Sequence, residues 1–98
     1  MMQNNSYDEQ KLRSEIWECL INSIDSVLDA SKSIVKTPSS NIRDDIGLSS
    51  LNTIIVLFNL EDKYDINLVD IPPQQIITLK DVEDTVFRLF ISKGAIVS

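Results

Sequence analysis

Apolar residues near the start of the chain recur at the spacing of an α-helix. The stripe consists of Leu12, Ile16, Cys19, Leu20, Ile24, Val27 and Leu28. Trp17 and Ile21 widen the stripe on one side, and Asp8 complements the helix dipole at its start. Neither Pro nor Gly interrupts this pattern, which predicts a first helix over 8–29 after a flexible N-terminal segment over 1–7.

The region 31–49 mixes turn-forming residues with apolar ones. Pro38, Gly47 and a cluster of Ser, Thr and Asn indicate turns. The apolar residues of the region are Ile34, Val35, Ile42, Ile46 and Leu48. Loops longer than about 12 to 15 residues are uncommon in compact domains unless they are functional or disordered. We therefore expect a long loop whose apolar residues pack against the core.

The densest apolar run of the chain predicts a second helix over 50–64, with Ser49 as its N-cap. At about 100° per residue, the apolar positions divide into two arcs that lie nearly opposite each other. The outer arc is Leu51, Ile54, Ile55 and Phe58, and the inner arc is Val56, Leu57, Leu60 and Tyr64. A helix in so small a domain cannot easily bury both arcs, so we expect one of them to face a ligand, a partner or a second copy.

The chain after the second helix predicts a short helical element and the start of a last helix. Pro72 and Pro73 interrupt the region 66–77, so a single helical turn is the most that this region predicts. Thr78 and Asp81 have the spacing of a capping box, with Asp in place of the usual Glu.

The last helix completes an all-α pattern. Its apolar face consists of Leu79, Val82, Val86, Leu89 and Phe90. The helix extends to Ile91, and Gly94 ends it. Helices without alternating strands predict a small four-helix bundle, with three longer helices, one short helix and a long first loop. We expect the domain to span 8–91 and a C-terminal tail to span 92–98.

The charge balance narrows the classes of partner. The 98 residues include 15 acidic and 9 basic side chains, which gives a formal net charge of −6 at pH 7 and a length typical of one domain. Nucleic acids and anionic lipids are bound through clustered Lys and Arg, so we expect neither nucleic acid nor membrane as a partner. Proteins with basic surfaces complement this net negative charge better than nucleic acids or anionic lipids do.

The composition also excludes the commonest catalytic machinery. The chain has no histidine, so it can form neither a Ser-His or Cys-His nucleophile pair nor a histidine-based metal site. Its one cysteine, Cys19, cannot form an intrachain disulfide, and its place in the apolar stripe favours a buried small hydrophobe. We therefore predict neither a catalytic residue nor a metal site. Because the sequence shows no signal peptide and no apolar run of membrane-spanning length, we also predict a cytoplasmic location.

The segment 44–51 holds the candidate site. Its sequence Asp-Asp-Ile-Gly-Leu-Ser-Ser-Leu places Ser50 at the entry of the second helix, shortly after a flexible glycine. Backbone N–H groups and the positive end of the helix dipole stabilise a phosphodiester at such a position. Spacing alone leaves the simpler alternative open, because most serines that begin helices only cap them.

Four elements in this order resemble the acyl carrier proteins and related phosphopantetheine-binding carrier domains. They are Asp-Asp-Ile-Gly at 44–47, Ser-Ser-Leu at 49–51, Glu-Asp-Lys-Tyr-Asp at 61–65 and a Thr-initiated helix at 78–91. The resemblance implies that Ser50 carries 4′-phosphopantetheine, which a phosphopantetheinyl transferase takes from coenzyme A. It further implies that the arm presents an acyl or aminoacyl thioester to acyl-loading and acyl-processing enzymes, and that the chain is a carrier and not an enzyme.

Two departures from the family pattern indicate a dedicated set of partners. Ser49 stands where the family usually has an aspartate, so no carboxylate meets a basic transferase residue there. Asn52 and Ile55 stand where family members generally carry acids. We expect the outer arc to be the partner-docking face, with Glu61 and Asp62 at its negative rim. The pathway would then be a specialised one rather than general fatty-acid synthesis, and the chain a monomer.

A second hypothesis needs no modification at all. The chain could be a helical adaptor that uses the outer arc to bind a protein partner or a second copy of itself. Only the carrier gains a phosphopantetheinyl group, so the mass of the intact chain separates the two hypotheses.

Overall fold

Three long α-helices and two short helical turns make up the part of the chain that the structure describes. A computed structural model describes residues 3–28, 35–68 and 70–92. The long helices are α1 (Gln3–Val27), α2 (Ser50–Tyr64) and α3 (Leu79–Ser92), and the short elements are a π-helical turn (Ile42–Ile46) and a 3-10 turn (Pro73–Gln75). Within the described ranges there is no strand, and the all-α bundle predicted from the sequence is confirmed.

The predicted bounds are accurate for α2 and less accurate for α1. In the structure, α2 begins and ends at the predicted residues, whereas α1 begins at Gln3 and not at Asp8. The residues before Asp8 therefore continue the helix, because neither Pro nor Gly interrupts them. The helix ends at Val27 and Leu28 is not helical, so the predicted end at Asp29 is too late.

The last helix ends one residue later than predicted. Ser92, which the sequence assigned to the C-terminal tail, is the final residue of α3. The rest of the predicted tail, including Gly94, lies outside the described residues. The 3-10 turn occupies the place of the short third helix that the prolines allowed.

The core fills the space between the three long helices. Its fully buried side chains include Ile16, Leu20 and Ile24 from α1, Leu60 from α2, and Val82 and Val86 from α3. Ile42, Ile46 and Leu48 of the connecting segment are also buried, which confirms that this segment packs against the core. Val35 is 80 % exposed, so its predicted packing is wrong, and Ile34 lies outside the described residues.

One arginine joins α1 to α3 at the surface of this core. The Arg13 guanidinium lies 3.1 Å from a Glu83 carboxylate oxygen, 2.7 Å from one of Asp84, and 4.2 Å from the centre of the Phe87 ring. The hydrogen bond to Asp84 is the main cause that raises the pKa of Arg13. These contacts set the packing of α1 on α3 beside the apolar stripe.

In the part of the chain that the structure describes, no helix combines the length and the apolar character that crossing a bilayer requires.

Candidate functional site

The two adjacent serines at the start of α2 have different surroundings. Ser49 is the N-cap, since its Oγ accepts a hydrogen bond from the Asn52 N–H at 3.1 Å. Its carbonyl oxygen accepts further bonds from the N–H and the hydroxyl of Thr53, at 2.9 and 2.8 Å. Ser50 is the first helical residue, and its side chain is exposed. The predicted cap is thus confirmed. Both serines are exposed, and Ser50 is the one whose hydroxyl does not cap the helix.

The N-terminus of α2 has hydrogen-bond donors to offer to an anion. The first hydrogen bond within α2 is donated by Thr53, and the Asn52 N–H is bonded to the Ser49 side chain. The helix itself supplies no acceptor for the N–H groups of Ser50 and Leu51. The first turn of α2, which is described in full, contains no acidic side chain that would neutralise the positive end of the dipole.

A π-helical turn that the sequence did not predict leads into this serine pair. The Ile46 N–H donates to the Asn41 carbonyl at 3.0 Å, and the Gly47 N–H donates to the Ile42 carbonyl at 3.1 Å. The Asn41 side chain accepts bonds from two N–H groups of the turn, and the Asp45 carboxylate accepts one from the Asn41 N–H at 2.7 Å. Our prediction of an irregular loop was wrong here, because so short an element has no hydrophobic period to reveal it.

Gly47 ends this turn in a conformation that glycine adopts most readily. Its φ is +84°, in the left-handed region that is unfavourable for residues with a Cβ. The chain can therefore reverse direction between the buried side chains of Ile46 and Leu48 before α2 begins. The sequence anticipated a glycine turn at this point, and the structure confirms it.

Backbone pairing fixes the segment before the site against the start of α3. The Ile42 N–H donates to the Ile77 carbonyl at 2.9 Å, and the Leu79 N–H donates to the Ser40 carbonyl at 3.0 Å. Asn41 and Thr78 form an isolated antiparallel bridge between the same two segments. The approach to Ser50 is therefore held by main-chain contacts with a distant part of the sequence.

The predicted capping box stabilises the start of α3, which is the other partner in this backbone pairing. The Asp81 carboxylate accepts hydrogen bonds from the N–H groups of Ile77 and Thr78, both at 3.0 Å, and the Thr78 hydroxyl accepts one from the Asp81 N–H at 3.2 Å. The bond from the Thr78 N–H is the main cause that lowers the pKa of Asp81 from its ordinary value. Aspartate thus performs the part that glutamate usually takes in a capping box.

The two arcs of α2 differ in burial as the sequence predicts. The outer arc is exposed, with Leu51 at 67 %, Phe58 at 51 %, Ile54 at 42 % and Ile55 at 36 % of full accessibility. The inner arc of Val56, Leu57, Leu60 and Tyr64 is at most 9 % exposed. An apolar surface therefore begins directly beside Ser50 and follows the outside of α2.

The two acidic residues after the outer arc, Glu61 and Asp62, differ in burial. Asp62 is exposed, whereas Glu61 is half-buried and its carboxylate accepts a hydrogen bond from the Leu68 N–H. Glu61 therefore stabilises the loop that follows α2. No sequence pattern indicated this hydrogen bond, because the bond depends on the tertiary position of that loop. The part of Glu61 in a docking rim stays a prediction.

Cys19 is less buried than its place in the apolar stripe predicted. The thiol is half-buried, and burial is the main cause that raises its pKa. Cys19 lies along an open cleft between α1 and α2 whose other residues include Asn59 and Lys63. A raised pKa keeps the thiol protonated near neutral pH, which makes it a poor nucleophile.

Comparison with known proteins finds relatives of one kind. An acyl carrier protein of Syntrophobacter fumaroxidans is 32 % identical over 65 residues, which cover 66 % of this chain and 79 % of the relative. Acyl carrier proteins of Chlorobium luteolum and Chlorobium phaeobacteroides are 25 % and 24 % identical over 80 residues, which cover 82 % of this chain and 96 % of each relative. No protein-family model matches the chain. No solved structure matches it either.

Proposed function

Because this chain belongs to the acyl carrier protein family, we propose that Ser50 is the residue to which 4′-phosphopantetheine is attached. The arm would present an acyl or aminoacyl thioester to partner enzymes. In this proposal the chain is not itself an enzyme, and it contributes a rigid point of attachment together with a surface that partners recognise.

The observation that carries the proposal is the position of Ser50. Its side chain is exposed at the first residue of α2, where the N–H groups of Ser50 and Leu51 have no acceptor within the helix. A phosphodiester on the Ser50 oxygen would stand at the positive end of the helix dipole. When bound, the arm supplies a terminal thiol, the group that forms the thioester.

The residues around Ser50 support this attachment without taking part in any reaction. Ser49 caps α2 and so fixes where the helix begins, while the pairing of Ile42 with Ile77 holds the approaching segment. A fixed origin matters for a tethered substrate, because the length of the tether and the position of its anchor determine the effective concentration at each partner site.

The partners proposed for this carrier are proteins. A phosphopantetheinyl transferase would modify Ser50, and acyl-loading and acyl-processing enzymes would act on the loaded arm. The net charge of −6 favours basic protein surfaces over nucleic acids and anionic membranes. Ser49 and Ile55, which replace acids usual in the family, favour a specialised pathway. We place this carrier in the cytoplasm, as a monomer.

Labelling in vitro tests the attachment site. The unmodified chain is incubated with coenzyme A, magnesium and a permissive phosphopantetheinyl transferase. The Ser50 oxygen forms a bond to the β-phosphorus of coenzyme A, adenosine 3′,5′-bisphosphate leaves, and the hydroxyl proton passes to a base of the transferase. Wild type and Ser49→Ala should gain one phosphopantetheinyl group, and Ser50→Ala should gain none. Labelling of Ser50→Ala would disprove the assignment.

The exposed outer arc also favours a second candidate, an unmodified adaptor. An adaptor would bind its partner through Leu51, Ile54 and Phe58 whether or not Ser50 is present. A carrier that lacks Ser50 can still dock but cannot deliver a thioester. Loss of delivery with retained docking in Ser50→Ala supports the carrier, and an unchanged cellular function of that variant supports the adaptor.

A further inference from the structure

Ser50 lies in a part of α2 that packing of the helix on the core does not place directly. Residues 50–55 are exposed or half-buried, and Val56 is the first buried residue of the helix. On the other side, Leu48 is 5 % exposed and precedes Ser50 by two residues. The nearest core residue to Ser50 along the chain therefore belongs to the segment that approaches the helix.

The hydrogen bonds that close the first turn of α2 also depend on this approaching segment. The Asn52 N–H donates to the Ser49 Oγ, and the N–H and the hydroxyl of Thr53 both donate to the Ser49 carbonyl oxygen. Both acceptor atoms belong to Ser49, the residue before the helix. A shift of Ser49 would therefore open the first turn and displace the Ser50 hydroxyl.

Asn41 organises the π-helical turn within the approaching segment. Its side-chain Oδ1 accepts hydrogen bonds from the N–H groups of Arg43 and Asp44, at 2.9 and 2.8 Å. Its carbonyl oxygen accepts hydrogen bonds from the N–H groups of Asp45 and Ile46, at 2.9 and 3.0 Å. Every N–H group from Arg43 to Ile46 is thus bonded to Asn41.

The backbone on either side of Asn41 is fixed to the start of α3. The Ser40 carbonyl accepts a hydrogen bond from the Leu79 N–H, and the Ile42 N–H donates to the Ile77 carbonyl. Asn41 is therefore the junction at which a segment fixed to α3 becomes the turn that leads to the serine pair.

The far end of this turn is bonded to the residue that follows Asn41. The N–H groups of Gly47 and Leu48 both donate to the Ile42 carbonyl, each at 3.1 Å. A continuous series of hydrogen bonds therefore connects Asn41 with Leu48, and Ser49 comes next in the chain. Loss of the Asn41 side chain would remove the acceptor of two N–H groups and loosen the turn.

Resting on the proposed function, we propose that Asn41 is a positioning residue for the attachment of phosphopantetheine to Ser50. Asn41 acts through the π-helical turn, which places Ser49 and thereby the start of α2. The position of a reacting group governs the rate of the chemical step, and a displacement of about 1 Å can lower that rate about a hundredfold. Asn41 should therefore affect the rate of attachment more than the binding of the transferase.

Single-turnover kinetics test this assignment, because they separate binding from the chemical step. A permissive phosphopantetheinyl transferase is used in excess over the unmodified chain, with saturating coenzyme A and magnesium. Asn41→Ala should lower the maximal rate constant of Ser50 labelling about tenfold. The transferase concentration that gives half of the maximal rate should stay nearly unchanged, since the variant alters no residue of α2. Asn41→Ser should restore most of the rate, because the serine Oγ can accept a hydrogen bond as a helix cap.

Ile16→Val is the control that separates positioning from a general loss of stability. Ile16 is fully buried in α1, and its neighbour Glu15 lines the same cleft as Lys63, towards the end of α2 that is remote from Ser50. Loss of one buried methylene group should lower the melting temperature by an amount similar to the loss of a capping side chain. Ile16→Val should therefore melt earlier than wild type and still be labelled at the wild-type rate.

Gly47→Ala tests the same turn without a change at Asn41. The φ of +84° is unfavourable for alanine, whereas a Cβ at this position would meet no atom of the surrounding chain within 4 Å. The substitution therefore strains the backbone without a steric clash. We expect the rate constant to fall in Gly47→Ala and to recover in part in Gly47→Asn, because asparagine tolerates the left-handed region better.

The possible outcomes separate the positioning role from the proposed function. A rate constant that is unchanged in Asn41→Ala, or lowered equally in Ile16→Val, would overturn the positioning role. So would a higher half-saturating transferase concentration without a lower maximal rate, because Asn41 would then act as a binding contact. If Asn41→Ala does not fold, an unchanged rate constant in Gly47→Ala overturns the role. If no transferase labels wild type at Ser50, the proposed function fails, and the positioning role fails with it.

Discussion

At the scale of single residues, the candidate site contains two adjacent serines. Their side chains are chemically identical, but they occupy different positions relative to α2. Ser49 precedes the helix and its hydroxyl caps it, whereas Ser50 is the first helical residue and its hydroxyl does not cap the helix. Both residues are exposed. The capping preference of serine made the start of α2 predictable from the sequence. Spacing alone could not assign a role to Ser50, and the family resemblance supplied that part.

The Ser50 hydroxyl should contribute little to stability. Ser50→Ala should lower the free energy of unfolding by at most about 1 kcal/mol, since Ser49 and not Ser50 caps the helix. Leu60→Ala should lower it by about 2 to 5 kcal/mol, because Leu60 is fully buried and its truncation leaves a cavity. Urea denaturation of both variants measures the difference. A larger loss in Ser50→Ala than in Leu60→Ala would contradict this assignment.

Asp81 should make stability depend on pH in the acid range. Its pKa in the folded chain lies below the ordinary value of 3.8, so the unfolded chain binds this proton more readily. The stabilisation is therefore complete above the unfolded pKa and is lost as the pH falls through the lower folded pKa. In Asp81→Asn, stability near neutral pH should decrease and the acid slope should become shallower.

Thermal melting between about pH 2 and about pH 7 measures this slope. Asp62→Asn is the control, because Asp62 is an exposed carboxylate on a different helix. An acid slope that is the same in Asp81→Asn as in wild type would show that the capping box does not contribute to acid unfolding.

At the scale of elements, the sequence predicted those parts of the fold that carry a regular apolar period. The bounds of α2 followed from a cap and a dense apolar run, and its two arcs followed from their angular spacing. The π-helical turn Ile42–Ile46, which is hydrogen-bonded to Asn41, could not be predicted. It is shorter than two turns and therefore shows no hydrophobic period in the sequence. The support that Glu61 gives to Leu68 depends on tertiary contact and has no local signal.

The two faces of α2 should respond differently to the same charge. Ile55→Glu should leave the melting temperature nearly unchanged, because this side chain is 36 % exposed and the carboxylate can remain in water. Leu57→Glu should lower the melting temperature strongly, because this side chain is 9 % exposed and would bury an unpaired carboxylate. Circular dichroism melts compare the two. Unfolding by Ile55→Glu with a silent Leu57→Glu would reverse the assignment of the faces.

At the scale of the whole molecule, the fold separates stability from recognition. The core between α1, α2 and α3 excludes the outer arc, and Arg13 joins α1 to α3 through Glu83 and Asp84. Side chains can therefore change along the outside of α2 without loss of the bundle. This separation suits a carrier, whose recognition surface must fit particular partners while its attachment point stays fixed.

The mass of the intact chain, purified from its native host, tests the central claim most directly. We predict a fraction of molecules heavier than the translated sequence by one phosphopantetheinyl group, with or without an acyl load, and a modified peptide in which Ser50 bears the group. Growth with limited supply of the coenzyme A precursor should reduce that fraction. A chain that is uniformly unmodified in the host, or one modified at a residue other than Ser50, would contradict the account.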